Sequence, residues 1–270
     1  MNKLIFLKWG GSLITDKSNP LTPNKEIIHS LCDEFSKLIK NHPNTKFILG
    51  HGSGSFGHYV ANKYGTKNGI ETQQQWKGFL EVWAAVRKLN EIVIQALKDF
   101  NIPCLAIPPS VTFIAKNGKP SILFHQPFQH ALDAKMIPVV FGDVVFDSEI
   151  KGTILSTEEI FFHLAHQFHP DLILLAGIEK GIYADFPKNN QLISRITLSN
   201  FLELRKSIGG SNNIDVTGGM LGKVETMLAL VKELPELKIA IFSCEQKGNL
   251  EKAINVQEIG TWIQKEQELK

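Results

Sequence analysis

Short runs along this chain are apolar at every position, and each gives way to glycine or polar residues and then to a longer amphipathic stretch. The runs cover residues 4–7, 47–49, 102–107, 137–141, 172–176 and 239–242. A strand with one wet face alternates apolar and polar residues. A strand apolar throughout is covered on both faces, which is the condition of a parallel sheet with helices above and below it. The stretches between the runs carry helical spacing. Residues 24–40 place Ile27, Ile28, Leu31, Phe35, Leu38 and Ile39 on one side, and residues 76–100 repeat apolar positions from Trp76 through Phe79, Val86, Leu89 and Val93 to Leu97. Residues 127–136, 157–169 and 220–234 read as further helices. Residues 144–154 read as a hairpin around Asp147-Ser148, and residues 261–263 as a last short strand. The expected fold is α/β: a three-layer α-β-α sandwich with a mostly parallel central sheet, in a single domain over residues 1–270.

Composition excludes several functions. With 29 basic and 27 acidic side chains, the formal net charge is +2, so there is no electrostatic footprint for nucleic acid. The apolar run at residues 4–7 is broken at once by Lys8 and is too short for a membrane span or a signal-peptide core. The three cysteines, Cys32, Cys104 and Cys244, stand far apart, have no metal-ligand spacing and imply no disulfide framework. That pattern fits a reducing compartment, and the expected location is cytoplasmic.

In an open α/β sheet, ligands bind beyond the carboxyl ends of the strands. Four polar or glycine-rich segments fall there: Lys8-Trp9-Gly10-Gly11-Ser12, the eight residues from His51 to His58, Gly142-Asp143, and Gly177. Glycine lets backbone N–H groups approach an anion, and a helix N-terminus adds free donors and a favourable dipole. The second segment, His51-Gly52-Ser53-Gly54-Ser55-Phe56-Gly57-His58, has a composition that no packing argument requires, and it points to an anion site. Two such loops facing one another could hold two phosphates. No lysine follows its last glycine, so it is not a P-loop. Lys8 ends an apolar strand, Lys17 follows the Thr15-Asp16 turn, and Lys223 follows Thr217-Gly218-Gly219 at a helix start, where it opposes the helix dipole. Three lysines beside glycine turns point to a polyphosphate.

Taken in order from residue 4 to about residue 230, these segments resemble the amino acid kinase superfamily. They are Lys8 to Lys17, His51 to His58, Gly142-Asp143-Val144-Val145 and Asp215 to Lys223. Within the superfamily they look like isopentenyl phosphate kinases, chiefly through Ile14-Thr15-Asp16-Lys17 and Gly54-Ser55-Phe56-Gly57-His58. The resemblance implies ATP with Mg²⁺, a phosphorylated small-molecule acceptor, in-line transfer to a phosphate oxygen, and a homodimer. It implies an acceptor-binding lobe over about residues 1–165 and a nucleotide-binding lobe over about residues 166–270.

It also implies roles. Lys8, Lys17, His58 and Glu158 would be catalytic. Lys8, Trp9, Gly10, Gly11, Ser12, Gly54, Tyr183, Asp185, Gly219 and Lys223 would hold ATP. Gly52, Ser53, Gly57, His58, Gly142 and Asp143 would hold the acceptor, with Tyr59, Val60 and the helix from Trp76 to Val86 beside an isoprenoid tail. The sequence departs from the family pattern in three places. Thr157-Glu158-Glu159 replaces Gly-Asp-Glu, so Glu158 stands for the aspartate that orients the lysines. Ile178-Glu179-Lys180 replaces two aspartates around a hydrophobic residue, and Ser53 replaces a glycine. Two other readings remain: a kinase for another phosphate or phosphonate acceptor, of the fosfomycin type, and a non-catalytic nucleotide-binding sensor on the same fold.

Overall fold

A computed structural model describes residues 3–16, 18–208 and 219–266. In chain order its elements begin with β1 (Lys3–Trp9), α1 (Gly11–Ile14), α2 (Lys25–Asn41), β2 (Thr45–His51), α3 (Gly54–Tyr64), α4 (Gln73–Asp99), β3 (Cys104–Ala106) and α5 (Pro109–Thr112). There follow β4 (Phe113–Lys116), β5 (Lys119–Leu123), α6 (Gln126–Asp133), β6 (Ile137–Phe141), β7 (Asp143–Asp147), β8 (Lys151–Leu155) and α7 (Thr157–Phe168). Next come β9 (Leu172–Gly177), β10 (Ile182–Tyr183), β11 (Leu192–Ile193), β12 (Arg195–Ile196) and α8 (Phe201–Leu204). The last are α9 (Gly219–Glu233), β13 (Lys238–Ser243), α10 (Asn249–Ile254) and β14 (Thr261–Ile263).

The central sheet has eight strands in the order β12-β14-β13-β9-β1-β2-β6-β3. Every neighbouring pair is parallel except β13 with β14. The mostly parallel sheet expected from the apolar runs is therefore present, with helices on both faces. Side chains of successive strand residues point to opposite faces, and β1 shows how the layers are filled. Ile5, Leu7 and Trp9 enter the core formed with α2, α4 and α10, while Phe6 enters the core formed with α6, α7 and α9.

A second, four-stranded sheet in the order β5-β4-β7-β8 stands beside the first. The hairpin read around Asp147-Ser148 is β7–β8. The companion hairpin β4–β5 escaped the apolar-run reading, because its strands are half exposed. Its turn carries a clear signal, since Asn117 and Gly118 have φ values of 51° and 77°, as a tight hairpin requires. The buried Asp147 carboxylate accepts both of their N–H groups, at 3.2 and 2.7 Å. The run at residues 102–107 shortens to a three-residue strand because prolines at 103, 108 and 109 flank it.

Candidate active site

The carboxyl ends of three central strands are level. Lys8 pairs with Gly50 of β2 and with Leu175 of β9. The ladder continues past the strand ends: Gly10 N–H donates to Ala176 O (2.7 Å), Gly52 N–H to Trp9 O (2.9 Å) and Gly142 N–H to His51 O (3.2 Å). These bonds bring Gly10, Gly52, Gly142 and Gly177 together at one rim. A cleft of about 1160 Å³ opens there. That exceeds the roughly 300–1,000 Å³ of a site for one small molecule, so it has room for two reactants.

The two glycine loops meet backbone to backbone. A Cβ on Gly11 would lie 2.4 Å from Gly54 N, and one on Gly52 would lie 2.6 Å from Gly11 N. No side chain fits at either position without parting the loops. The helix α3 starts at Gly54, inside the second glycine segment, so His58 sits on a helix rather than in a loop. Ser53, Gly54, Ser55, Gly57 and His58 all line the cleft. The first turn of α3 is thus turned to it and presents a positive dipole end to an anion, although Ser55 N–H is given to Thr15 Oγ1 and the N–H groups of Phe56 and Gly57 to Ser53 O. Gly57 is small for a local reason: its Cβ would fall 2.3 Å from Ser53 Oγ.

Opposite α3, the strand period sets the direction of Lys8. It shares a face with Phe6, whose ring packs on Phe161 of α7 at 5.1 Å. Two residues further along β1, and three residues back along α7, Lys8 Nζ meets Glu158 Oε2 at 2.5 Å. The other oxygen, Oε1, lies 3.5 Å from Lys223 Nζ of α9. Burial raises the Glu158 pKa, but the Lys8 and Lys223 ammonium groups together outweigh it and hold the carboxyl at about 2. The start of α7 is fixed by a capping box in which Ser156 Oγ accepts Glu159 N–H and Glu159 Oε2 accepts Ser156 N–H. Glu159 is held in turn by Lys67 at 3.2 Å. Glu158 thus ties two ammonium groups, from β1 and α9, to one carboxylate at the rim of the cleft.

Most of the residues read from the sequence meet in this cleft. Lys8, Gly10, Gly11, Ser12, Gly52, Ser53, Gly54, Gly57, His58, Gly142, Glu158, Tyr183, Gly219 and Lys223 line it. The side chains of Trp9, Asp143 and Asp185 do not. Trp9 falls on the opposite face of β1 and packs edge-on against Phe35 at 6.1 Å. Asp143 is fully buried and accepts the N–H groups of Ser110 (3.1 Å) and Val144 (2.9 Å). Desolvation raises its pKa to about 6, despite those bonds. Asp185 accepts Asn190 N–H at 3.0 Å and Gln191 N–H at 2.9 Å, tying up a turn next to Tyr183. Lys17, Asp215, Val216, Thr217 and Gly218 lie outside the described residues. His51 is buried against Phe141, with Nδ1 3.1 Å from Gly52 O and Nε2 3.2 Å from the Asn90 amide. Burial lowers its pKa, so it is a neutral support under the loop.

Val82 and Val86, from the helix read beside an isoprenoid tail, line the cleft, and with Ile154, which sequence reasoning passed over, they form an apolar wall beside α3. Phe186, Ile208, Met220 and Ile241 form another near Tyr183. Among the described residues, no group of three or more His, Cys, Asp or Glu side chains is placed to hold a metal ion, and no helix is long and apolar enough to cross a membrane.

The chain and its fold have matches among known proteins. The chain belongs to the amino acid kinase family, whose sequence profile matches residues 3–243. Within that family it is similar to isopentenyl phosphate kinases. It is 32% identical over 269 residues to the one from Methanocaldococcus jannaschii, covering 96% of this chain and 98% of that protein. It is 31% identical over 267 residues to the one from Methanothermobacter thermautotrophicus, covering 96% and 98%. Among solved structures, X-ray structures of isopentenyl phosphate kinase superimpose with a TM-score of 0.81 at 28% identity, covering 96% of this chain and 99% of that one. A UMP kinase from Bacillus anthracis shares the fold alone, with a TM-score of 0.66 at 15% identity over 97% of this chain and 96% of that one.

Proposed function

We propose that this chain transfers the γ-phosphoryl group of ATP to isopentenyl phosphate, forming isopentenyl diphosphate and ADP. The observation that carries the reading is the single cleft in which His58 and the first turn of α3 line one wall and Lys8 and Lys223 share Glu158 on another. Similarity to isopentenyl phosphate kinases along nearly the whole chain supports the choice of acceptor.

Phosphoryl transfer passes through a loose transition state, so the work is positioning and charge neutralisation. A phosphate monoester is mostly deprotonated at neutral pH, its second pKa lying near 6. The acceptor therefore needs no general base, which fits a cleft of lysines, backbone N–H groups and a histidine. His58 donates a hydrogen bond to the acceptor phosphate and, with Ser53 and Gly142, turns its oxygen towards the γ-phosphorus, while Gly54 lies on the ATP side. Gly10, Gly11 and Ser12 line the ATP phosphates, and Lys8, Lys223 and Lys17 offset the charge gathering between the two anions. Tyr183 and the apolar wall around Met220 and Ile241 take the nucleoside. Val82, Val86 and Ile154 take the isoprenoid tail.

Mg²⁺ fits as a companion of the nucleotide. Of the cleft carboxylates, Glu158 and Glu159 are engaged by lysines and Glu179 also lines the cleft, so the ion would be held largely by phosphate oxygens and water, as Mg²⁺ commonly is. When bound with the nucleotide it would supply charge neutralisation, alongside Lys8 and Lys223.

The acceptor elements precede residue 166, whereas Tyr183, Gly219 and Lys223 follow it, which supports an acceptor lobe and a nucleotide lobe bridged by Glu158 and Lys223. Exposed Leu80 and Trp83 of α4, Leu105 of β3 and Val111 of α5 support a homodimer formed through that edge. The free thiols of Cys32, Cys104 and Cys244 fit a cytoplasmic protein.

ADP release measured side by side with isopentenyl phosphate, dimethylallyl phosphate and fosfomycin tests the reading. Turnover led by isopentenyl phosphate supports it. Turnover led by fosfomycin replaces the acceptor, and background turnover with all three favours the sensor.

A further inference from the structure

The hydroxyl of Thr15 links the two glycine loops. Thr15 follows α1, is 3% exposed, and lies four residues beyond Gly11. Its Oγ1 donates to Gly11 O at 2.7 Å and accepts Ser55 N–H at 3.0 Å. One end of this bridge is in the loop after β1, and the other is in the first turn of α3. Around it the two backbones are as close as backbones can be. Gly54 has φ +50°, and a Cβ there would lie 2.1 Å from Thr15 Oγ1 and 2.6 Å from Gly11 O. The bridge also decides which amides of α3 are left for a ligand. Ser55 N–H, which a helix start would otherwise turn outward, is committed to Thr15.

We infer that Thr15 is a positioning residue that sets the separation of the donor-phosphate loop and the acceptor-phosphate loop, and so the gap the phosphoryl group must cross. The inference rests on the reading that these loops hold ATP and a phosphorylated acceptor. Each loop has its own donors, so each ligand binds without the bridge. In-line transfer, however, depends on the distance between the two ligands, and a misplacement of about 1 Å costs about 10²-fold in rate. The hydroxyl acts in the ternary complex and has little effect on either binary one.

The test uses Thr15→Ala and Thr15→Ser, each checked by thermal melting. Binding of ADP alone and of isopentenyl phosphate alone is measured by calorimetry, and kcat is measured with both substrates saturating. Thr15→Ala is expected to bind each ligand within about threefold of the parent while kcat falls about 10²-fold. Thr15→Ser keeps the hydroxyl and is expected to restore kcat to within about threefold of the parent, on the same reasoning. If Thr15→Ala does not fold, Thr15→Val takes its place. Parental kcat in the variant lacking the hydroxyl overturns the inference, as does a serine variant as slow as the alanine one. Loss of both binary affinities in step with kcat also overturns it, because the residue is then merely structural. If the parent itself does not turn over isopentenyl phosphate, the functional reading falls, and the inference falls with it. A working parent with an unaffected Thr15→Ala removes the inference alone.

Discussion

Glu158 holds Lys8 and Lys223 on its two carboxylate oxygens, at 2.5 and 3.5 Å, and so joins the first strand of the chain to a helix more than 200 residues later. The local structure around it explains how. The capping box at Ser156 fixes the start of α7, the face alternation of β1 sends Lys8 towards it, and the packing of Phe6 on Phe161 sets the depth. The glutamate stands where the family pattern has aspartate, and its longer side chain still reaches both ammonium groups.

Glu158→Gln is therefore expected to destabilise the ligand-free protein by about 3 kcal/mol, because it removes the buried carboxylate charge that Lys8 and Lys223 share. Saturating ADP is expected to recover part of the loss, since phosphates take over the role of the carboxylate. The sign of the pH effect follows from the lowered pKa: the stabilisation is complete above the ordinary pKa of 4.5 and is lost as pH falls towards about 2. Denaturant titration of both proteins with and without ADP checks this, and equal midpoints in the absence of ligand refute it.

His58→Ala is expected to lower kcat by about 10²–10³-fold, the usual effect of removing one preorganised donor. The acceptor KM rises with it, and ATP binding stays near the parent value. Steady-state kinetics with each substrate varied in turn separates these effects. Unchanged turnover would sink the role given to His58.

The sheet was legible because a strand covered on both faces is apolar throughout, and that pattern survives without knowledge of its partners. The direction of Lys8 was equally accessible, since parity from Phe6 gives it. The side chains of Trp9, Asp143 and Asp185 lie outside the cleft for a common reason. Adjacency in sequence to a glycine turn says nothing about which way a side chain points, and all three point away, into the core or into a turn of their own. The β4–β5 hairpin was missed because its edge strands are half exposed and break the apolar-run pattern, although Asn117-Gly118 announced its turn. Thr15 was visible only as part of a motif. Its two bonds join segments 40 residues apart, and no single-sequence periodicity reports a contact of that kind.

The buried Asp143 offers a test on stability. Its pKa is raised from 3.8 to about 6 by desolvation, so folding favours the protonated form. That contribution is complete below about 3.8 and is lost as pH rises through about 6. Asp143→Asn removes the titration. The melting temperature of the parent is expected to fall relative to that of the variant between about pH 4 and pH 6.5, in a pair of melting series in matched buffers. Parallel curves across that window would place the proton elsewhere.

The apolar wall beside α3 makes the last prediction, which bears on acceptor choice. Val82 is 1% exposed and lines the cleft with Val86 and Ile154, on the same wall as His58. Enlarging it pushes a ring into space assigned to the isoprenoid tail while leaving the glycine loops alone. Each methylene gained or lost in such a pocket changes specificity by about 10–200-fold. Val82→Phe is thus expected to raise the KM for isopentenyl phosphate by at least about tenfold. It is also expected to leave the KM for ATP unchanged, because Tyr183, Met220 and Ile241 form a separate wall. An acceptor whose phosphate carries a smaller substituent is expected to suffer less, so the ratio of kcat/KM between a small phosphate monoester and isopentenyl phosphate shifts towards the smaller one. A variant that weakens both acceptors and ATP alike would mean that the ring has distorted α4 and the loops it supports, and the tail would then have to be sought on another wall of the cleft.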